Sequence, residues 1–283
     1  MTQQQHQPRP GDGPYTVRTP RVVAARRLQR RRDRDAAGLF LAEGPQAVRE
    51  AAASAAVHEI FGTTPALARH AELIESAARA GARVSPVTDE ALAALAETVR
   101  PQGLVAVCAQ RSVPLEKALE RGPRLVAVLA EIRDPGNAGT VLRTADAAGA
   151  GAVVFAGDAV DPYNGKCVRA SAGSLFHVDV AREPDPTGAI GTIRGRGLAV
   201  YAATGYGETD LDELADTGGL DGPTAWLFGS EAHGLPEELL AAADARVRVP
   251  IYGGAESLNL AAAAAVCLYA SARAHRAGRN TSE

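Results

Sequence analysis

The sequence predicts an α/β protein: a larger parallel-sheet domain preceded by a smaller α/β domain. Three observations carry that prediction. Apolar runs with almost no charge, Leu125-Val-Ala-Val-Leu-Ala130, Ala152-Val-Val-Phe155, Ala199-Val-Tyr-Ala-Ala203 and Ala225-Trp-Leu-Phe228, alternate with helical patterns, as parallel strands covered on both faces do. Glycine-rich turns follow four of the C-terminal strands. A shorter alternating series lies upstream, set apart by a stretch with Pro114, Pro123 and mixed charges. With 283 residues and 46% hydrophobic content, the chain can fill both cores.

Residues 1–20 hold Gln, Pro, Gly and Asp with little apolar content and are expected as a flexible tail. Residues 21–110 make the first domain. Its pattern is helical from Val22 to Ala55, interrupted by the strand-like Leu39-Phe-Leu-Ala-Glu-Gly-Pro45 with its Gly-Pro stop. A strand over 57–61, a helix over 65–80 with Leu67 and Leu73 on its apolar face, a strand over 83–87, a short helix over 91–98 and a buried strand over 104–108 follow. Residues 111–121 are expected as a linker.

The second domain, 122–276, adds the strand Val247-Arg-Val-Pro-Ile251 to the four apolar runs. Helices are expected near 138–148, 164–172, 186–196, 211–216, 236–242 and 258–275, with a tail over 277–283. Ligands of open α/β sheets bind outside the carboxyl ends of the strands, where the turns 135–139, 204–207, 229–234 and 252–254 fall.

Composition narrows the classes. No run of about 18 uncharged apolar residues appears, and the N-terminus lacks the order of a signal peptide, so a cytoplasmic location is expected. Three cysteines, Cys108, Cys167 and Cys267, sit apart in apolar or small-residue surroundings and read as core thiols; no Cys-x-x-Cys or His-x-x-x-His pair suggests a metal. The net charge of −3 hides a cluster in which Arg18, Arg21, Arg26, Arg27, Arg30, Arg31, Arg32 and Arg34 are offset within their span only by Asp33. Arginine bonds phosphate bidentately and stacks on bases, so Arg26, Arg27, Arg30, Arg31 and Arg32 are candidate RNA contacts, against the plainer reading of a solvated helix end. Neither a phosphate-loop motif nor a Gly-x-Ser-x-Gly elbow occurs, and Gly149-Ala-Gly151 precedes a strand where a dinucleotide fingerprint would follow one.

Three segments remain: Glu131-Ile-Arg-Asp-Pro-Gly-Asn137-Ala-Gly139-Thr-Val-Leu-Arg143, Leu227-Phe-Gly229-Ser-Glu231-Ala-His-Gly234-Leu-Pro236 and Val249-Pro-Ile-Tyr-Gly-Gly-Ala-Glu-Ser257-Leu-Asn259-Leu. In order and spacing they resemble the three motifs of SpoU/TrmH-type RNA 2′-O-methyltransferases. The resemblance implies a SPOUT-type catalytic domain with a trefoil knot formed from about Trp226 to Ala265, an L30e-like substrate-binding domain before it, S-adenosylmethionine as cofactor and a homodimer using the last helix. It matches Asn137, Arg143, Glu231, Ser257 and Asn259 to the family's catalytic positions. It also puts Thr204, Gly205, Leu227, Phe228, Gly229, Ile251, Ser257 and Leu260 at the cofactor.

In that family the arginine is taken to activate the 2′-hydroxyl. A guanidinium is a poor proton acceptor, so Arg143 is better suited to hold the adjacent phosphate and stabilise developing alkoxide charge. A separate N-terminal α/β domain is more typical of family members acting on ribosomal RNA, of 23S type, than on tRNA. Plainer readings stand beside each residue: Asn137 as cap of a helix starting at Ala138, Asn259 as cap of the last helix, and Glu231 as an ion-pair partner of Arg143. A tRNA 2′-O-methyltransferase, a non-catalytic RNA binder of this fold and a base-nitrogen methyltransferase are the rival functions.

Overall fold

Buried apolar strands must pair to satisfy their backbone groups, and they do so here in two sheets, one in each of two compact units that meet in sequence between Gln110 and Arg111. The computed structural model describes residues 13–280, with side chains to 277. The first unit runs α1 (Pro20–Arg27), α2 (Arg31–Ala37), β1 (Leu39–Glu43), α3 (Pro45–Ala53), β2 (Val57–Gly62), α4 (Thr64–Arg69), α5 (Ala71–Arg79), β3 (Arg83–Pro86), α6 (Asp89–Leu95) and β4 (Leu104–Ala109). Its sheet has the order β1-β4-β2-β3, with β4 antiparallel to both neighbours and β3 parallel to β2. Val105 and Val107 of β4 and Phe61 of β2 share one buried cluster with Val22, Ala25 and Leu28 and with Ala91, Leu92 and Leu95 of α6.

Three expectations for this unit change. Residues 13–20 are not loose: the Tyr15 amide donates to Pro86 O, Thr88 N donates to Tyr15 O, and Tyr15 and Val17 pack on the apolar cluster. The rest of the expected tail, 1–12, lies outside the described residues. The helix expected over 65–80 is two helices, because His70 leaves the helical region at φ −112°, ψ 32°. The helical stretch after Val22 likewise breaks between α1 and α2. There the buried Arg34 guanidinium donates to the carbonyls of Leu28 (3.0 Å) and Gln29 (2.9 Å), which satisfies the turn.

The second unit runs α7 (Leu115–Glu120), β5 (Leu125–Ala130), α8 (Pro135–Ala147), β6 (Ala152–Ala156), α9 (Gly165–Ala170), a 3₁₀ turn (Ser174–Phe176), β7 (Asp179–Glu183), α10 (Pro186–Gly195), β8 (Ala199–Ala203), β9 (Thr209–Asp210), α11 (Leu211–Asp216), β10 (Thr224–Phe228), α12 (Glu237–Ala242), β11 (Ala245–Arg248) and α13 (Leu260–Asn280). Every pairing in its seven-stranded sheet is parallel, in the order β7-β6-β5-β10-β8-β11-β9. β10 therefore lies between β5 and β8, strands made earlier in the chain, and the strand order reverses around it. That reversal is a topological switch point, where open sheets bind ligands.

The linker expected over 111–121 is instead largely helix. Leu115, Ala118 and Leu119, at helical spacing, are buried in the core with Val126, Val154 and Ile190. The sheet also has two strands that the sequence pattern does not predict, the charged edge strand Asp179-Val-Ala-Arg-Glu183 and the two-residue β9. The last strand ends at Arg248 rather than Ile251, and the last helix starts at Leu260 and continues to Asn280, through most of the tail expected from 277. α13 is docked by a buried bond: Trp226 Nε1 of β10 donates to Ser271 Oγ at 2.9 Å, with both side chains fully buried.

Candidate active site

The site is built where α8 leaves β5. Asp134 is the N-cap, its Oδ1 accepting from Asn137 N at 2.8 Å, and Pro135 supplies the preset φ of the first turn. The helix thus starts three residues before the expected Ala138, and the Asn137 side chain is not spent on capping. Its Nδ2 donates to Glu231 Oε1 at 2.6 Å, and its Oδ1 accepts from Asn259 Nδ2 at 3.3 Å. Asn259 does cap α13, accepting from Ala261 N (2.9 Å) and Ala262 N (3.4 Å), so one amide serves both ends. The three sequence segments meet in this junction.

Glu231 rides on a turn closed by reciprocal bonds, Ser230 N to Gly234 O at 3.1 Å and Gly234 N to Ser230 O at 2.8 Å. A Cβ on Gly229 would fall 2.3 Å from the Gly234 carbonyl carbon, so only glycine lets the turn close. The considered Glu231–Arg143 pair does not form, because Glu231 bonds Asn137 instead. Arg143 is exposed, with no hydrogen bond or ion pair among the described residues. It lies six residues beyond Asn137, about 9 Å along the helix axis and about a third of a turn around it.

The other candidates line the same carboxyl edge. Thr204 follows β8, its amide donating to Val247 O at 2.9 Å and its Oγ1 accepting from Tyr206 N at 3.4 Å. Gly205 is exposed with open space around it. Leu227 and Phe228 are fully buried in β10, so their side chains belong to the core and only the strand end at Gly229 reaches the edge. Ile251 and Ser257 sit in a segment, 251–259, that is exposed throughout, and none of its backbone N–H groups donates to a backbone carbonyl among the described residues. Leu260 is half-buried at the head of α13.

Sequence reasoning missed Asp134 and Lys166. Lys166 Nζ donates to Asp134 Oδ2 at 2.7 Å, and this bond, with the Asn137 amide next, holds the Asp134 carboxyl below the usual aspartate range. The Asp-Pro pair was the legible signal, an N-cap followed by a proline suited to the first turn. Arg248 was also missed: its guanidinium donates to Gly207 O (3.0 Å) and Glu208 O (3.1 Å) and pairs with Asp210 at 3.2 Å, pinning the turn after β8. Tyr252 Oη donates to Asp212 at 2.6 Å, a bond that raises the pKa of its hydroxyl.

In the first unit Arg26 and Arg27 end α1, Arg30 precedes α2, and Arg31 and Arg32 open it; all five are exposed, with Arg31 3.6 Å from Asp35. Arg34 of the same run is structural, as described above. The three cysteines are buried and free, and burial raises every thiol pKa, Cys267 to about 12. Among the described residues no cluster of His, Cys, Asp and Glu fits a metal ion, and no helix is long and apolar enough to cross a membrane.

A wholly parallel sheet with a polar junction at the carboxyl edge of its switch point is the setting in which open α/β sheets bind a ligand. Residues 124–269 match the SpoU rRNA Methylase family, and residues 19–106 match the MRM3-like substrate binding domain. The chain belongs to the SpoU rRNA methylase family. It is 32% identical over 254 residues, 90% of this chain and 96% of its relative, to the 23S rRNA (guanosine(2553)-2′-O)-methyltransferase RlmP of Bacillus subtilis (strain 168). Among solved structures, an rRNA methyltransferase from Sinorhizobium meliloti superposes with a TM-score of 0.80 at 30% identity, covering 92% of this chain and 97% of that one. The SpoU methyltransferase AviRb from Streptomyces viridochromogenes, solved in complex with the cofactor AdoMet, gives a TM-score of 0.80 at 27% identity, covering 92% of this chain and 100% of that one.

Proposed function

We propose that this protein is an S-adenosylmethionine-dependent methyltransferase acting on a ribose 2′-hydroxyl of 23S-type ribosomal RNA. The observation that carries the reading is the Asn137–Glu231–Asn259 junction, with an uncommitted Arg143 on the same helix, in a chain of this family. The residues present fit the cofactor. Ile251 and Leu258 offer apolar contact, the open amides of 251–259 can read an adenine edge, and the turns at Thr204–Gly205 and Gly229 let backbone approach a ligand. When bound, that cofactor supplies a methyl group on a sulfonium.

The chain's own residues then have distinct tasks. Arg143, free of partners among the described residues, holds the phosphate beside the target ribose and stabilises charge developing on the 2′-oxygen. Asn137 keeps its orientation because both ends of its amide are bonded, and it fixes Glu231 at the acceptor side. Ser257 has a free hydroxyl among the described residues and serves as a cofactor or acceptor contact.

Several finer features belong to the same proposal. The position of β10 between β5 and β8, with α13 packed back on β5, β8, β10 and α8, supports a trefoil knot. Exposed Leu258, Val266 and Tyr269 along and before α13 support a homodimer formed by a second copy. The unit ending at Gln110 is assigned to RNA binding through Arg26, Arg27, Arg30, Arg31 and Arg32 and is expected to be L30e-like; ribosomal RNA as substrate puts the enzyme in the cytoplasm.

The test is transfer of labelled methyl from S-adenosylmethionine to unmodified ribosomal RNA and to tRNA in parallel, followed by nucleoside digestion. A labelled 2′-O-methylnucleoside from ribosomal RNA is expected. Label only on tRNA would overturn the substrate, label on a base the acceptor atom, and no cofactor binding the enzymatic reading itself.

A further inference from the structure

Lys166 is one of only two lysines in an arginine-rich chain, and it sits at the site rather than on a remote surface. Its side chain is 55% exposed, and its single bond to Asp134 uses one of three ammonium donors. A Cβ on Gly136 would stand 3.0 Å from Lys166 Cε and 3.2 Å from Nζ, so the ammonium lies directly over the first turn of α8, in the space that glycine leaves. Gly136 and Arg143 are seven residues apart and share a face of the helix, about 10 Å from each other along its axis. Long side chains on a helix generally lean toward its N-terminus, the direction that shortens that gap. Thr140, the residue between them on that face, turns its hydroxyl onto Gly136 O at 2.8 Å and leaves the way open.

We propose that Lys166 is a second phosphate-binding residue of the acceptor site, holding the phosphate on one side of the target ribose while Arg143 holds the other. The assignment rests on the reading of the site given above. Two cations on one helix face suit consecutive phosphates of a single strand. Asp134 keeps the lysine in place in free enzyme and competes with RNA for it.

The test measures the KM for a 23S ribosomal RNA fragment, kcat, and the salt dependence of RNA binding for wild type, Lys166→Ala, Lys166→Arg and Asp134→Asn. Removing one contact to single-stranded RNA lowers the slope of log K against log salt by about 0.7, which at physiological salt is about a fourfold loss of affinity. Lys166→Ala should therefore show about a fourfold rise in KM with kcat and cofactor affinity unchanged, and Lys166→Arg should retain the wild-type slope. Asp134→Asn keeps the capping oxygen but removes the competing charge, so it should bind RNA more tightly with a steeper slope. A merely structural pair would weaken both variants alike, with falling kcat and no change in slope, and that result overturns the proposal. Wild type that methylates no ribosomal RNA defeats the underlying reading; wild-type turnover with an unchanged slope in Lys166→Ala defeats the lysine assignment alone.

Discussion

Gly139 lies in the first motif, and its replacement by alanine sets two known effects against each other. Alanine in a helix interior is worth about 1 kcal/mol over glycine. Against this, a Cβ at 139 would stand 2.4 Å from Cys167 O, 2.7 Å from Ala170 Cβ and 3.1 Å from Ser171 N. Two of those three atoms are backbone at the end of α9, which cannot move aside as a flexible side chain would. The overpacking cost then falls at the upper end of its range, about 3 kcal/mol. Gly139→Ala should lose about 2 kcal/mol net, a fall in Tm of about 4–8 °C for a unit of this size. Trp226, the only tryptophan, is fully buried in β10, so its fluorescence reports the unfolding of this unit. The comparison variant is Gly191→Ala: Gly191 is inside α10, has no atom within 4 Å of its would-be Cβ, and should gain about 0.5–1 kcal/mol. A Gly139→Ala protein as stable as wild type would show that α9 yields, and that this glycine is not required for packing.

Further outcomes are accessible to routine measurement. Ser271→Ala leaves the buried Trp226 N–H without its acceptor and should lower stability by about 1–3 kcal/mol in urea unfolding; an unchanged midpoint would mean the bond contributes nothing. All three thiols should resist a disulfide reagent in the native state and react together on denaturation, whereas fast native labelling of any one would contradict its burial. Because the Asp134 pKa is depressed in the folded protein, its contribution is fully present at neutral pH and is lost as pH falls through and below the usual aspartate range. The stability gap between wild type and Lys166→Ala should accordingly hold from pH 7 to 5 and close in stronger acid; a gap that persists there would assign it to packing of the lysine stem.

The parts legible in the sequence are those with a local signature. β5, β6, β8 and β10 are apolar along their whole length because both faces are covered, and their runs needed no context. β7 escaped because an edge strand tolerates Asp179, Arg182 and Glu183, and α7 because Pro114 and its charged residues masked the spacing of Leu115, Ala118 and Leu119. Strand order is not local at all: nothing in Thr224–Phe228 says that it inserts between β5 and β8. Motif order singled out Asn137, Glu231 and Asn259, which the structure brings into one hydrogen-bonded junction, but a helix start misplaced by three residues gave Asn137 a capping role that Asp134 holds. Lys166 could not be found by motif because its meaning comes from Gly136, thirty positions upstream, and the contact exists only once α9 packs on α8.

The junction also ties the proposed site to the packing of this unit. Asn137 and Asn259 are 122 positions apart, with β10 and β11 between them in the chain, so their bond depends on α13 being packed back toward α8. The Asn259 amide caps α13 with its oxygen and holds Asn137 with its nitrogen, so the first turn of the helix and the polar junction form together. Trp226–Ser271 fixes the same helix further along from within the core. A lesion that frees α13 must therefore release Asn259, then Asn137, and with it the support of Glu231. Substitutions remote from the acceptor along that helix should lower kcat before they unfold the unit, since the loss of one capping bond is small beside the cooperative stability of the seven-stranded sheet.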